Sequence, residues 1–174
     1  MPKAQGLKPK AGKQVPDGNE VPTVSARFSA LKMLARREYS EAQIRQRLLR
    51  RGHSSDEIDE AIGRLKADGA IDDARVAKAI ARTATSTKQR GKRRVIQQLA
   101  QAGISRTAAH KAVEETFADL DADQLLETAL SKRLRNGRPI ADDKEFRRLY
   151  RYLMAQGFDA DHALAALSKR RRIT

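Results

Sequence analysis

Around three glycines, Gly52, Gly103 and Gly157, the sequence repeats itself by position rather than by letter. Eight residues before each glycine stand Ile44, Val95 and Leu149; four before it stand Leu48, Leu99 and Leu153; ten after it stand Ile62, Val113 and Leu167. Apolar residues four apart share one face of a helix, so each copy predicts a helix running into its glycine with a buried stripe. Glycine is the residue that ends a helix most easily, because it accepts the left-handed backbone there. Two residues further on come Ser54, Ser105 and Asp159, whose side-chain oxygens can take up the free amides of a following helix. Ser54 with Glu57, and Ser40 with Gln43, add the spacing of a reciprocal capping box.

A third amphipathic stretch precedes each pair: about Ala26 to Arg37 (Leu31, Leu34), Asp73 to Ala84 (Val76, Ile80) and Asp121 to Leu134 (Leu126, Ala129, Leu130). The unit is therefore three helices, repeated with spacings of 51 and then 54 residues. Breaks are expected at Gly52, Gly69, Gly103, Gly137 and Gly157, and no alternating strand pattern occurs. The sequence predicts an all-α fold of three tandem three-helix repeat units, residues 26–70, 71–118 and 119–174, in an elongated curved array. Residues 1–25 are Pro-, Gly- and Lys-rich, and are expected to be a disordered basic tail. With no Trp, four Phe and three Tyr, the core must be largely aliphatic.

The chain carries 36 Lys and Arg against 22 Asp and Glu, a formal charge of +14, which attracts polyanions or acidic proteins without choosing between them. The absence of cysteine excludes disulfides and Cys-ligated metals, and suits a reducing cytoplasm. Neither a signal peptide nor a membrane span is recognisable, so a soluble cytoplasmic monomer with no membrane contact is expected.

Between Ala74 and Val113 all ten charged residues are basic. The candidate partner-binding or nucleic-acid-binding set is Arg75, Lys78, Arg82, Lys88, Arg90, Lys92, Arg93, Arg94, Gln97 and Arg106. At 100° per residue, Val95, Ile96 and Leu99 fall on one side of their helix, and Arg93, Arg94, Gln97 and Gln101 on the other. Aromatic platforms for stacked bases are nearly absent from this stretch, so contact to a nucleic acid would be mainly to its backbone. Helix-turn-helix readout of duplex DNA is disfavoured. The helix starts that would enter a groove carry Asp56, Glu57, Asp59 and Glu60, or Asp159 and Asp161, which repel phosphate.

Catalytic and metal constellations are missing. "DLDAD" begins like a calcium loop but has Gln124 and Leu130 where Gly and Glu are needed, which leaves a linker and a helix cap. Gly91-Lys92 lacks the remainder of a P-loop, and His53, His110 and His162 fall in three different units. Asp72/Asp73 and Asp142/Asp143 precede helices and read as caps. No enzyme activity, cofactor or metal is expected.

The segment "IDDARVAKAIARTATSTKQRGKRRVIQQLAQAGIS" resembles the central signature of the RecX family, regulators of the RecA recombinase. "ALKMLARREYSEAQIRQRLLRRGHSSDEIDEAIGRLKADG" looks like that family's first unit, and "RRLYRYLMAQGFDADHALAAL" like its last. Carried over are the helix start Asp73-Ala74-Arg75, Gly91 with its basic neighbours, Leu99, and Gly103-Ile104; Val76 departs from the family's usual Phe. The resemblance implies three tandem three-helix units. It also implies binding to RecA and the RecA–ssDNA filament, with damping of ATPase, strand-exchange and coprotease functions in recombination, repair and the SOS response. The alternative is a basic helical protein acting directly on single- or double-stranded DNA through backbone contacts.

Overall fold

Every helix but one begins on a Ser or Asp whose side-chain oxygen accepts a first-turn amide, so the chain's own punctuation sets the architecture. The computed structural model describes residues 24–134 and 138–171. Among these, nine α-helices follow in order: α1 (Ala26–Leu34), α2 (Glu41–Leu49), α3 (Ser55–Ala67), α4 (Asp73–Ser86), α5 (Lys92–Gln101), α6 (Arg106–Ala118), α7 (Ala122–Ser131), α8 (Asp143–Gln156) and α9 (Ala160–Lys169). Both expected capping boxes form, at Ser40/Gln43 and Ser54/Glu57. The exception is α5, whose first turn follows Gly91 without a side-chain cap. Among the described residues the one β-type feature is an isolated bridge between Ile140 and Arg171.

The three repeat glycines end α2, α5 and α8 in the same way. Gly52, Gly103 and Gly157 have φ of 84°, 75° and 83°, and the next residue donates its N–H back to Leu48, Leu99 or Leu153. That six-to-one bond, with the glycine's own bond to the carbonyl three residues back, closes a Schellman turn. The residue after the glycine is folded inward each time: Ile104 and Phe158 in the later copies, His53 in the first. All nine repeat positions read from the sequence are buried, from Ile44, Leu48 and Ile62 to Leu149, Leu153 and Leu167.

Helices pack in threes, α1–α3, α4–α6 and α7–α9, as units 1, 2 and 3. The apolar core does not divide in the same way. Unit 1 has a cluster of its own, built on Ile44, Leu48, Ile58 and Leu65. Units 2 and 3 share one continuous cluster that runs from Val76 through Leu99 and Leu130 to Leu167.

One device joins successive units. The residue that caps the middle helix of one unit docks on the carbonyl just before the repeat glycine of the next. Ser40 Oγ donates to Ala102 O, and Gly91 N donates to Gln156 O at 2.9 Å. Arg93 N adds a bond to Gly157 O at 3.3 Å. The amide-rich start of α5 thus meets the carbonyl-rich end of α8, an alignment that helix dipoles favour. The approach is close enough that a Cβ on Gly103 would stand 2.3 Å from Ala42 Cβ, and one on Gly157 would stand 2.2 Å from Arg94 N.

The structure corrects several details of the sequence reading. α1 stops at Leu34 rather than Arg37, and its buried face is Ala26, Ala30 and Met33, with Leu31 exposed. Leu34, the other half of the expected stripe, is half-buried and packs against the edge of the unit 1 core. α4 runs on to Ser86, and α7 is shorter than the periodicity suggested. The break at Gly137 and nearly all of the basic tail lie outside the described residues.

Candidate functional site

The basic segment read from the sequence lies on α4, on the connector to α5, and on the first turns of α5 and α6. Arg75, Lys78, Arg82, Lys88, Lys92, Arg93, Gln97 and Arg106 are exposed, and Arg90 and Arg94 are half-buried. Arg94 is a correction. Its backbone and Cβ press against Gly157 at the joint between units 2 and 3, so only the far end of the side chain is free, and that end donates to Gln97 Oε1 at 2.6 Å. Arg90 Nε is buried without a hydrogen-bond partner among the described residues.

Several of these cations already hold carboxylates from other elements. Arg75 binds Glu38 across the joint to unit 1, lies 3.6 Å from Asp72, and reaches the carbonyls of Gly69 and Ala70. Lys78 pairs with Glu115 at 2.8 Å, and Arg93 lies 3.7 Å from Asp159. The acids respond. Asp72 is held below the usual carboxylate range, first by the backbone N–H of Arg75, and Glu115 by its hydrogen bond from Lys78. The Asp159 carboxyl is lowered chiefly by the backbone N–H of Asp161. Arg82, Lys88, Arg90, Lys92, Arg94 and Arg106 make no carboxylate pair among the described residues.

The cavities that these residues border are separate. Lys88 faces a groove between units 1 and 2, shared with Arg37, Ile80 and Gln98. Lys92 and Arg93 face a separate cavity between units 2 and 3.

A second cationic face, absent from the sequence reading, lies on unit 1. Lys32, Arg36, Arg47, Arg50 and Arg51 line a groove of about 550 Å³ with Tyr39 and Met33. Arg37 and Arg47 flank the Tyr39 ring, 4.2 Å and 4.4 Å from its centroid. The Tyr39 hydroxyl is held below its ordinary pKa, first by the hydrogen bond from Arg37. None of these six cations pairs with a carboxylate among the described residues, because the neighbouring acids are engaged elsewhere. Glu41 holds Lys66 and Arg45, Asp59 holds Arg45, Glu60 holds Arg64, and Glu38 holds Arg75. The doublets Arg36-Arg37 and Arg50-Arg51, with Arg47 one turn earlier, are the signal in the sequence; interleaved acids hide it.

No cluster of three or more His, Cys, Asp or Glu able to hold a metal occurs among the described residues. His53 is packed behind Gly52, and His110 and His162 are exposed in separate units. No helix of the described residues is long and apolar enough to cross a membrane.

Comparison with known proteins matches the chain unit by unit. Residues 26–65 match "RecX, first three-helix domain", residues 72–113 the second such domain, and residues 121–167 the third. A "Regulatory protein RecX" of Syntrophotalea carbinolica is 32% identical over 138 residues, 79% of this chain and 90% of that one. One of Halorhodospira halophila is 32% identical over 143 residues, 82% and 86% of the two chains. The crystal structure of RecX from Lactobacillus salivarius superposes with a TM-score of 0.68 at 20% identity, covering 83% of this chain and 93% of that one.

Proposed function

The chain belongs to the RecX family, and from that premise we propose that it is a regulator that binds RecA and the RecA–DNA filament and inhibits RecA's ATPase, strand-exchange and coprotease activities. It does so by occupancy alone. Seated across neighbouring RecA subunits, it blocks filament growth or the movements coupled to ATP hydrolysis.

The observation that carries this reading is the segregation of charge by the fold. Unit 1 gathers six cations with no carboxylate pair among the described residues, and unit 2 adds Arg82, Lys88, Lys92 and Arg106, which have none there either. Separate basic faces suit an extended polyanionic lattice better than a compact ligand. In this reading the unit 1 face and the exposed residues from Arg75 to Arg106 contact the filament together.

The same charge supports a second reading, direct action on DNA, and one experiment separates the two. RecA's DNA-dependent ATP hydrolysis is followed with this protein well below one molecule per RecA. A filament regulator slows hydrolysis at that ratio, and added free DNA does not relieve it. Inhibition that appears only when the DNA is saturated, and that excess DNA relieves, assigns the effect to competition for DNA.

A further inference from the structure

The joint between units 2 and 3 encloses a cavity of about 370 Å³, whose wall includes Phe117, Leu125, Leu126 and Phe158. Each of these is less than a tenth exposed, so the wall is core rather than loose surface. That volume stands at the small end of ligand sites, about 300–1,000 Å³, with room for one aromatic or branched aliphatic side chain. The joint keeps it open: the bond from Gly91 to Gln156 and the Gly91–Gly157 contact fix the two backbones beside it.

The rim favours anions. Lys92 and Ala122, the first residues of α5 and α7, border the cavity with the α9 cap Asp159; the starts of α7 and α9 are capped by Asp121 and Asp159 and that of α5 is met by the end of α8, so the positive charge at the mouth is that of Lys92 and Arg93. Lys92 stands over the Phe117 ring, 5.6 Å from its centroid, and makes no carboxylate pair among the described residues. Arg93 is held only loosely, 3.7 Å from Asp159, with 71% of its side chain exposed. A carboxylate arriving at the mouth would meet two accessible cations and displace little.

The geometry points to a docking site for an acidic peptide segment that inserts one bulky apolar side chain between units 2 and 3 and lays flanking carboxylates on Lys92 and Arg93. Charge argues against the other occupants. Residues 1–23 carry Lys3, Lys8, Lys10 and Lys13 against Asp17 and Glu20, the chain ends Arg172-Ile173-Thr174, and a second copy brings a formal +14.

The test uses the full chain and a fluorescein-labelled decapeptide of Asp and Gly with one central Phe, read by fluorescence anisotropy. Expected is saturable binding that weakens at least tenfold when the peptide's Phe is replaced by Ser, and about fivefold for Lys92→Gln. Ala122 is exposed at the first turn of α7, so Ala122→Trp should plug the mouth without touching the core and abolish binding. His162→Trp, at another exposed residue lining the cavity, is the second plug should the first fail to fold. Equal binding of the Phe and Ser peptides overturns the proposal, since it would report charge alone. So does binding that appears only after residues 1–22 are removed, which would make the chain's own tail the occupant. Concentration-dependent self-association abolished by Ala122→Trp overturns it in favour of a second copy. The assay contains no RecA, so its failure removes this site and leaves the regulatory reading intact.

Discussion

Gly91 and Gly157 touch through their backbones: a methyl group on the α carbon of Gly91 would stand 2.3 Å from the carbonyl oxygen of Gly157. Gly91→Ala must therefore push α5 away from the end of α8, and it should destabilise the protein by about 1–3 kcal/mol. Gly63 is the control. It lies on the exposed face of α3 with nothing within 4 Å of an added Cβ, so Gly63→Ala should stabilise by about 0.5–1 kcal/mol. Urea denaturation of both variants checks the pair, and equal effects would refute the contact.

Ser40 and Ser54 cap their helices with the same box, yet only Ser40 also donates to a carbonyl of the next unit. Ser54→Ala should cost about 1 kcal/mol, the ordinary loss of a cap. Ser40→Ala also leaves the buried Ala102 carbonyl without that donor, so its cost should be about 2–4 kcal/mol. Comparing the two denaturation midpoints tests whether the joint contributes beyond the cap.

Leu99 is fully buried in the cluster shared by units 2 and 3. Leu99→Ala should cost about 2–5 kcal/mol through lost transfer energy and the cavity left behind. A thermal midpoint that does not move would place Leu99 outside the core.

Glu145 is the carboxylate most strongly perturbed by its surroundings. Arg138 reaches both its oxygens at 2.6 and 2.9 Å, the Ala141 amide donates at 3.0 Å, and Arg148 adds a second cation. Its pKa falls from the ordinary 4.5 to about 2, owing first to Arg138 and then to the Ala141 amide. A folded-state pKa below the unfolded value gives stability that is complete above about pH 4.5 and lost as the pH falls toward 2. Denaturation at about pH 5 and about pH 2.5 should show a smaller drop for Glu145→Gln than for the parent. Equal drops would show that other groups carry the acid sensitivity.

The unit 1 face should dominate binding to polyanions. Changing Arg47, Arg50 and Arg51 together to Gln should weaken binding to single-stranded DNA more than changing Arg75 and Lys78, which are already paired. Each phosphate the variant no longer neutralises should flatten the log–log salt dependence by about 0.7. Titration at several salt concentrations reads both effects, and the reverse ranking would return the main surface to α4.

The helices were legible because their signals are local. A glycine, a cap two residues later and leucines four apart predict the same turn wherever they occur, and all three copies form it. What the glycines do for one another was not legible. Gly103 meets Ala42, and Gly157 meets Arg94, each in a different unit, and nothing beside either glycine in the sequence marks the contact. The pairing of charges was not legible for a related reason. The all-basic run from Arg75 to Lys111 is partly neutralised by Glu38, Glu115 and Asp159 from outside it, whereas the mixed stretch from Arg36 to Arg51 loses its acids to other partners and becomes a bare cationic face. Sign along the chain predicts sign on the surface only where ion pairs are local, and here they are not.

The separate core of unit 1 divides the molecule mechanically. Units 2 and 3 share a common apolar interior, whereas unit 1 keeps one of its own. Unit 1 is fastened to them by Ser40, by the Arg75–Glu38 pair, by the bond from the Glu41 amide to Asp73 Oδ1 and by the close approach of Ala42 to Gly103, all at the edge of its own core. Parting unit 1 from unit 2 would break only these edge contacts, whereas parting units 2 and 3 would expose shared core to water.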